Sequence, residues 1–192
     1  TLNDKDTGEP LSFMSANLLS AARTGAVPGV AARHLARKDS EVIMVLGCGQ
    51  INRSCLRSIM TQLPNIKKVV CFDIFEAAAQ KFLEWEKEEL GVDGVVELDL
   101  EAALKDADVI TVAASRLKPL YVKDEWMKDG VTLLITGPMQ TDDSYWMNTK
   151  LIYDNVRLHE AYVQEAIESG DKAGYYKGVI GGPIYTLIDE GK

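Results

Sequence analysis

Between residues 41 and 136 the chain repeats one pattern: a short apolar run, then a stretch with apolar residues at helical spacing. The runs are 41–46, 68–73, 95–98, 107–113 and 131–136, with 151–153 as a candidate sixth. The stretch 50–62 carries Ile51, Cys55, Leu56, Ile59, Met60 and Leu63, and 76–90 carries Ala79, Phe82, Leu83 and Trp85 among Glu and Lys. Shorter helices are expected over 99–106 and 122–128. Strands alternating with helices form βαβ units, and strands apolar along their whole length suit a sheet covered on both faces. The expected fold class is therefore α/β, a Rossmann-type doubly wound parallel sheet with flanking helices. With 192 residues, 46% of them hydrophobic, the chain can bury a sizeable core, which excludes disorder as the dominant state.

The flanks read differently. Residues 17–38 form one long helical stretch with Leu18, Leu19, Ala22, Val30 and Leu35, interrupted by Gly25, Pro28 and Gly29. A proline inside a helix removes a hydrogen bond and crowds the preceding turn, so a kink or break is expected near Thr24–Gly25. Residues 158–169 read as a further helix, followed by a glycine-rich tail from Gly170 to Pro183.

Acidic residues number 29 and basic residues 21, for a net charge of −8. Phosphate backbones repel such a surface, and Lys and Arg form no stripe, so no nucleic-acid partner is expected. No apolar run approaches the roughly 20 residues that span a bilayer, so no membrane partner is expected either. The first residues lack the basic-then-apolar form of a signal peptide. They also lack an initiator Met, as in a piece of a longer protein. Cys48, Cys55 and Cys71 are widely spaced and form no C-x-x-C. They read as small buried thiols of a cytoplasmic protein, with no metal site among them.

The segment Val45-Leu46-Gly47-Cys48-Gly49-Gln50-Ile51-Asn52 joins a strand to a helix. The first glycine permits a tight turn. The second removes a side chain that would block a pyrophosphate, and the helix N-terminus offers free N–H groups to it. The third position of this pattern is ordinarily Gly or Ala, and here it is Asn52. Asp73 ends the next strand, 24 residues after Gly49, where a carboxylate can take both ribose hydroxyls of NAD and repel the 2′-phosphate of NADP. The competing reading is a glycine turn needed only for packing, with Asp73 capping the next helix. Arg23 lies among small apolar residues and suits a carboxylate or phosphate, or else reads as a solvated or ion-paired helix residue. Asp142 and Asp143 are general-base candidates that also fit a solvated turn. His34 and His159 read as structural or surface residues.

Several motifs coincide in order: Thr7-Gly8-Glu9-Pro10, Arg23-Thr24-Gly25-Ala26, Gly47-Cys48-Gly49-Gln50, Asp73, Ala107-Asp108-Val109-Ile110 and the strand end Leu134-Ile135-Thr136-Gly137. Together they resemble the ornithine cyclodeaminase/mu-crystallin family over nearly the whole chain. The resemblance implies roles. Arg23 matches an arginine that contacts the substrate carboxylate near the cofactor. Gly47, Gly49, Gln50 and Ile51 match the pyrophosphate loop, and Asp73 the ribose-binding acid. Ala114 and Ser115, with Ile135, Thr136 and Gly137, match the surroundings of the nicotinamide. The family's catalytic Asp, shortly after that last strand, is replaced by Pro138-Met139-Gln140, with Asp142 and Asp143 following.

The resemblance further implies three parts: 1–38 leading in from a substrate and dimerisation domain, 39–157 binding NAD, and 158–192 returning toward the first. It implies an NAD-dependent enzyme acting at the amino-bearing carbon of a small amino acid, cyclodeaminase-like, and homodimeric when full length. An NAD-linked amino acid dehydrogenase, an imine reductase, and a mu-crystallin-like binding protein without turnover are the alternatives.

Overall fold

The structure, a computed structural model, describes residues 1–114, 120–142, 144–145, 149–158, 160–161 and 184–185. Its elements in chain order are β1 (Leu2–Asn3), β2 (Pro10–Ser12), α1 (Asn17–Leu35), β3 (Val42–Leu46), α2 (Gln50–Met60), β4 (Lys68–Phe72), α3 (Glu76–Leu90) and β5 (Asp93–Val96). There follow α4 (Leu100–Lys105), β6 (Val109–Val112), β7 (Leu120–Tyr121), β8 (Thr132–Ile135), β9 (Met139–Gln140), β10 (Leu151–Ile152) and β11 (Ile184–Tyr185). Five strands form one parallel sheet in the order β5-β4-β3-β6-β8. This is the expected doubly wound arrangement.

The strand pleat explains the continuous apolar runs. Ile43 and Val45 face a core built with α2 (Cys55, Leu56, Ile59), α3 (Ala79, Phe82) and Ala32 of α1. Met44 and Leu46 face a second core with Ala103 and Leu104 of α4, Val122 and Met139. Both faces of β3 are thus covered.

Four expectations need correction. Residues 151–153 give no sixth strand of this sheet: β10 pairs in parallel with β11 apart from it. The weak run 95–98 is paired two residues earlier, as Asp93–Val96, and Leu98 is exposed. Residues 122–128 form only a 3-10 turn at Asp124–Trp126. Lastly, α1 is not broken near Thr24–Gly25; it runs through Pro28 to Leu35. Packing overrides propensity there. A Cβ added at Gly25 would come within 2.5 Å of the Ser54 backbone carbon, and one at Gly29 within 2.0 Å of the Ser58 hydroxyl. The glycines let α1 lie directly on α2, burying Ala21, Gly25, Pro28, Gly29 and Ala32. The expected helix 158–169 and the glycine-rich tail lie almost wholly outside the described residues.

At the edge where β3 and β6 begin, Asp108 gathers four donors. Lys128 Nζ and Arg37 Nη2 reach Oδ1 at 2.6 and 2.7 Å, and the N–H groups of Glu41 and Val42 reach Oδ2 at 2.8 and 2.9 Å. Burial alone would raise this carboxyl. Lys128 and the two backbone N–H groups outweigh it and hold it at about 2, below the ordinary 3.8. A lowered folded value means stability present above the unfolded value and lost as pH falls through the folded one. Asp108→Asn should therefore lose about 2 kcal/mol at pH 7. The gap to the parent should shrink below pH 3.8 and vanish near 2. Urea midpoints that coincide at pH 7 would refute this.

Candidate functional site

At the opposite edge, where the parallel strands end, β3 turns into α2. Gly47 has φ +92°, and a Cβ on it would lie 2.9 Å from the Ala113 oxygen and the Ala114 Cα. Only glycine fits both the conformation and the space. Gly49 differs: its backbone is extended (φ −94°, ψ −177°), and a Cβ there would meet nothing within 4 Å. The fold leaves room for a side chain at Gly49, and that room is the mouth of a cleft.

The cleft has a volume of about 380 Å³. It is lined by Gly47, Gly49, Gln50, Ile51, Asp73 and Ala114, six residues singled out from the sequence. Five more were missed: Phe72, Ile74, Phe75, Ala113 and Leu120. Ile74 and Phe75 are 45% and 68% exposed beside Asp73. An apolar pair following a strand-end acid, with Phe75 where α3 would ordinarily carry a polar cap, was the available signal. Helix α2 starts with no side-chain cap and no acidic residue in its first turn, so its N-terminus keeps its full attraction for an anion.

Asp73 is half-buried at this rim. Its Oδ2 accepts the Cys48 N–H at 2.8 Å and its Oδ1 the Phe75 N–H at 3.0 Å. It thus holds the glycine turn and the entry to α3 while facing the cleft. Cys48 is buried, and the neighbouring Cys71 thiol together with burial pushes its thiol far above the usual range, which leaves no thiolate for chemistry. All three cysteines are free and buried.

Ile135, Thr136 and Gly137 end β8 alongside the cleft without lining it. The Thr136 hydroxyl donates to the Val112 carbonyl at 2.8 Å, and a Cβ at Gly137 would come within 3.1 Å of Ala113 and Ala114 backbone atoms. These residues support the cleft floor. Arg23 is exposed on α1, with no hydrogen bond or ion pair to the described residues. The small residues around it do not bury it, so it needs no anionic partner for stability. Asp142 turns to another depression, about 690 Å³ and open, shared with Lys123, Asp124, Glu125 and Asp129. Its acidic rim disfavours phosphate. The Tyr121 hydroxyl and the Asp124 N–H hold the Asp142 carboxyl below its usual range. Ser115, Asp143 and His159 lie outside the described residues, and His34 is exposed in the last turn of α1. Among the described residues no group of three His, Cys, Asp or Glu could hold a metal, and no helix is long and apolar enough to cross a membrane.

The family model described as "Ornithine cyclodeaminase/mu-crystallin family" matches residues 1–181. The chain belongs to this family. It is 30% identical over 130 residues to the N-((2S)-2-amino-2-carboxyethyl)-L-glutamate dehydrogenase of Staphylococcus aureus, covering 67% of this chain and 38% of that one. Among solved structures of the family, the Thermococcus litoralis Delta(1)-pyrroline-2-carboxylate reductase in complex with NADH and L-proline superposes with a TM-score of 0.75 at 26% identity, over 96% of this chain and 63% of that one. An archaeal alanine dehydrogenase dimer with bound NAD superposes at 0.73 with 30% identity, over 98% and 57%. The chain thus spans between 38% and 63% of the length of these three relatives.

Proposed function

We propose that this chain is the NAD-binding part of an oxidoreductase acting at the amino-bearing carbon of a small amino acid or its imine. One observation carries the reading: the uncapped start of α2, the open space at Gly49 and the carboxylate of Asp73 meet on a single cleft. A dinucleotide fits there in chemical terms. The first-turn N–H groups of α2 would take the pyrophosphate, Asp73 the ribose hydroxyls, and Ala114 would lie toward the nicotinamide, with Ser115, Ile135, Thr136 and Gly137 around it. NAD, when bound, supplies a hydride acceptor or, when reduced, a hydride donor; the chain's residues orient it and keep NADP out.

Relatives named as a reductase with NADH and L-proline and as a dehydrogenase with NAD support a small amino acid or imine as substrate. Arg23 is our candidate for its carboxylate. Pro138-Met139-Gln140 in place of the family's catalytic Asp, with Asp142 lining the other depression and not this cleft, favours a dehydrogenase or reductase over a cyclodeaminase. Division at residues 38 and 157, a homodimeric whole and a cytoplasmic location belong to the same proposal.

Calorimetry tests the cofactor. The parent should bind NADH more tightly than NADPH. Asp73→Ala should weaken NADH binding by about 1.5–3 kcal/mol, the worth of charge-assisted hydrogen bonds, and reduce the discrimination. Equal affinity of the parent for both cofactors would sink the assignment.

A further inference from the structure

Asn52 occupies the third position of the glycine pattern, where a small residue ordinarily lets the helix approach the sheet. It is fully buried. Its Nδ2 donates to the Leu46 oxygen at 2.9 Å, the Gly47 oxygen at 2.7 Å and, more weakly, the Thr111 oxygen at 3.4 Å. Its Oδ1 accepts the Thr111 hydroxyl at 2.9 Å. The two carbonyls fix which way the carboxamide faces, because they only accept and so require the amide nitrogen; the Thr111 hydroxyl then donates to the amide oxygen.

The Gly47–Cys48 peptide is trans, so its carbonyl and its N–H point in opposite directions within one plane. Asn52 holds the carbonyl end, and Asp73 holds the N–H end at 2.8 Å. Gly47 carries no Cβ and sits at φ +92°, so its own backbone does little to resist rotation of this peptide. Of the peptide's own two polar ends, the carbonyl is held by Asn52. A rotated peptide would withdraw the Cys48 N–H from Asp73 and release one oxygen of the carboxylate that faces the cleft.

We propose that Asn52 is a positioning residue for dinucleotide choice: through the Gly47–Cys48 peptide it fixes the Asp73 carboxylate where ribose hydroxyls bind and a 2′-phosphate is repelled. Asn52 touches no ligand; it acts on Asp73 from beneath the loop. The inference rests on the proposed NAD site and adds to it the part that sets the acid's aim.

The test is the ratio of NADPH to NADH dissociation constants, measured by calorimetry on the full chain. A role in stability alone leaves this ratio unchanged, since both ligands meet the same folded population. Asn52→Ala should lower the ratio about tenfold, and Thr111→Val, which removes only the hydroxyl that holds the amide oxygen, about threefold, the range of neutral hydrogen bonds. Thr111→Val keeps the volume and decides the matter if Asn52→Ala does not fold. A parent that discriminates through Asp73, alongside a Thr111→Val or folded Asn52→Ala protein with an unchanged ratio, overturns the role of Asn52 and leaves the NAD site standing. A parent with a ratio near one overturns both.

Discussion

Gly49→Val should abolish nucleotide binding while leaving the fold intact. The extended backbone at this position accepts a β-branched residue, and a Cβ there meets no protein atom within 4 Å. The new side chain would project into the mouth of the cleft, at the first-turn N–H groups of α2. We expect NADH affinity to fall by about 100-fold or more, equivalent to roughly 2.7 kcal/mol. The far-UV circular dichroism should stay unchanged. Gly47→Val is the matched control. It forces φ +92° on a β-branched residue and drives its Cβ to 2.9 Å from backbone atoms, so it should unfold the loop itself. A Gly49→Val protein that binds NADH within about threefold of the parent would show that the pyrophosphate lies elsewhere.

Glu86→Met should stabilise the protein, and only toward neutral and alkaline pH. Glu86 is fully buried on α3, and neither carboxylate oxygen has a hydrogen-bond partner. It lies against the β5 edge, where a Cβ on Gly94 would come 2.5 Å from its Oε2. Burial pushes its carboxyl up to about 7; Lys87 opposes the shift and Asp93 adds to it. Because the folded value lies above the ordinary 4.5, the protonated form suits the folded state. Stability is then highest below 4.5, declines as pH rises through about 7, and stays low above it. Methionine has nearly the same length and no charge to desolvate. Above pH 7 the gain should be about 2–3 kcal/mol, fading to little at acid pH. A variant no more stable than the parent at pH 8 would show that the carboxylate is satisfied.

The sheet was legible because its central strands β3, β4 and β6 are apolar on both faces, as a parallel sheet with helices on both sides requires, whereas β5 at the edge was weak. The glycine turn was legible for a related reason: Gly47 is demanded by the backbone, while Gly49 is demanded by no contact of the protein itself and opens on the cleft, and both appear as the same letter. What escaped were features set by tertiary contact. Asn52 looked like a flaw in the pattern, because its value depends on Thr111, 59 positions away. Pro28 looked like a helix breaker, because the packing of α1 on α2 cannot be seen in local propensity. Arg23 admitted both a ligand-binding and a solvated reading, because its small neighbours do not show which face α1 buries, and that face leaves Arg23 exposed. Ile74 and Phe75 were given no role, because their exposure beside Asp73 is set by the cleft, although the apolar pair after a strand-end acid was visible.

Where α1 crosses α2, the distance between the helices is limited by main-chain atoms and two serine side chains. A core of Leu, Ile and Met absorbs a neighbour's change by rotating a side chain. At Gly25 and Gly29 nothing remains to rotate, and Ser54 and Ser58 are already in contact range. The crossing therefore acts as a hard stop. Over long drift the hydrocarbon interior can be exchanged piece by piece, but these four positions can enlarge only if the two helices are re-seated together.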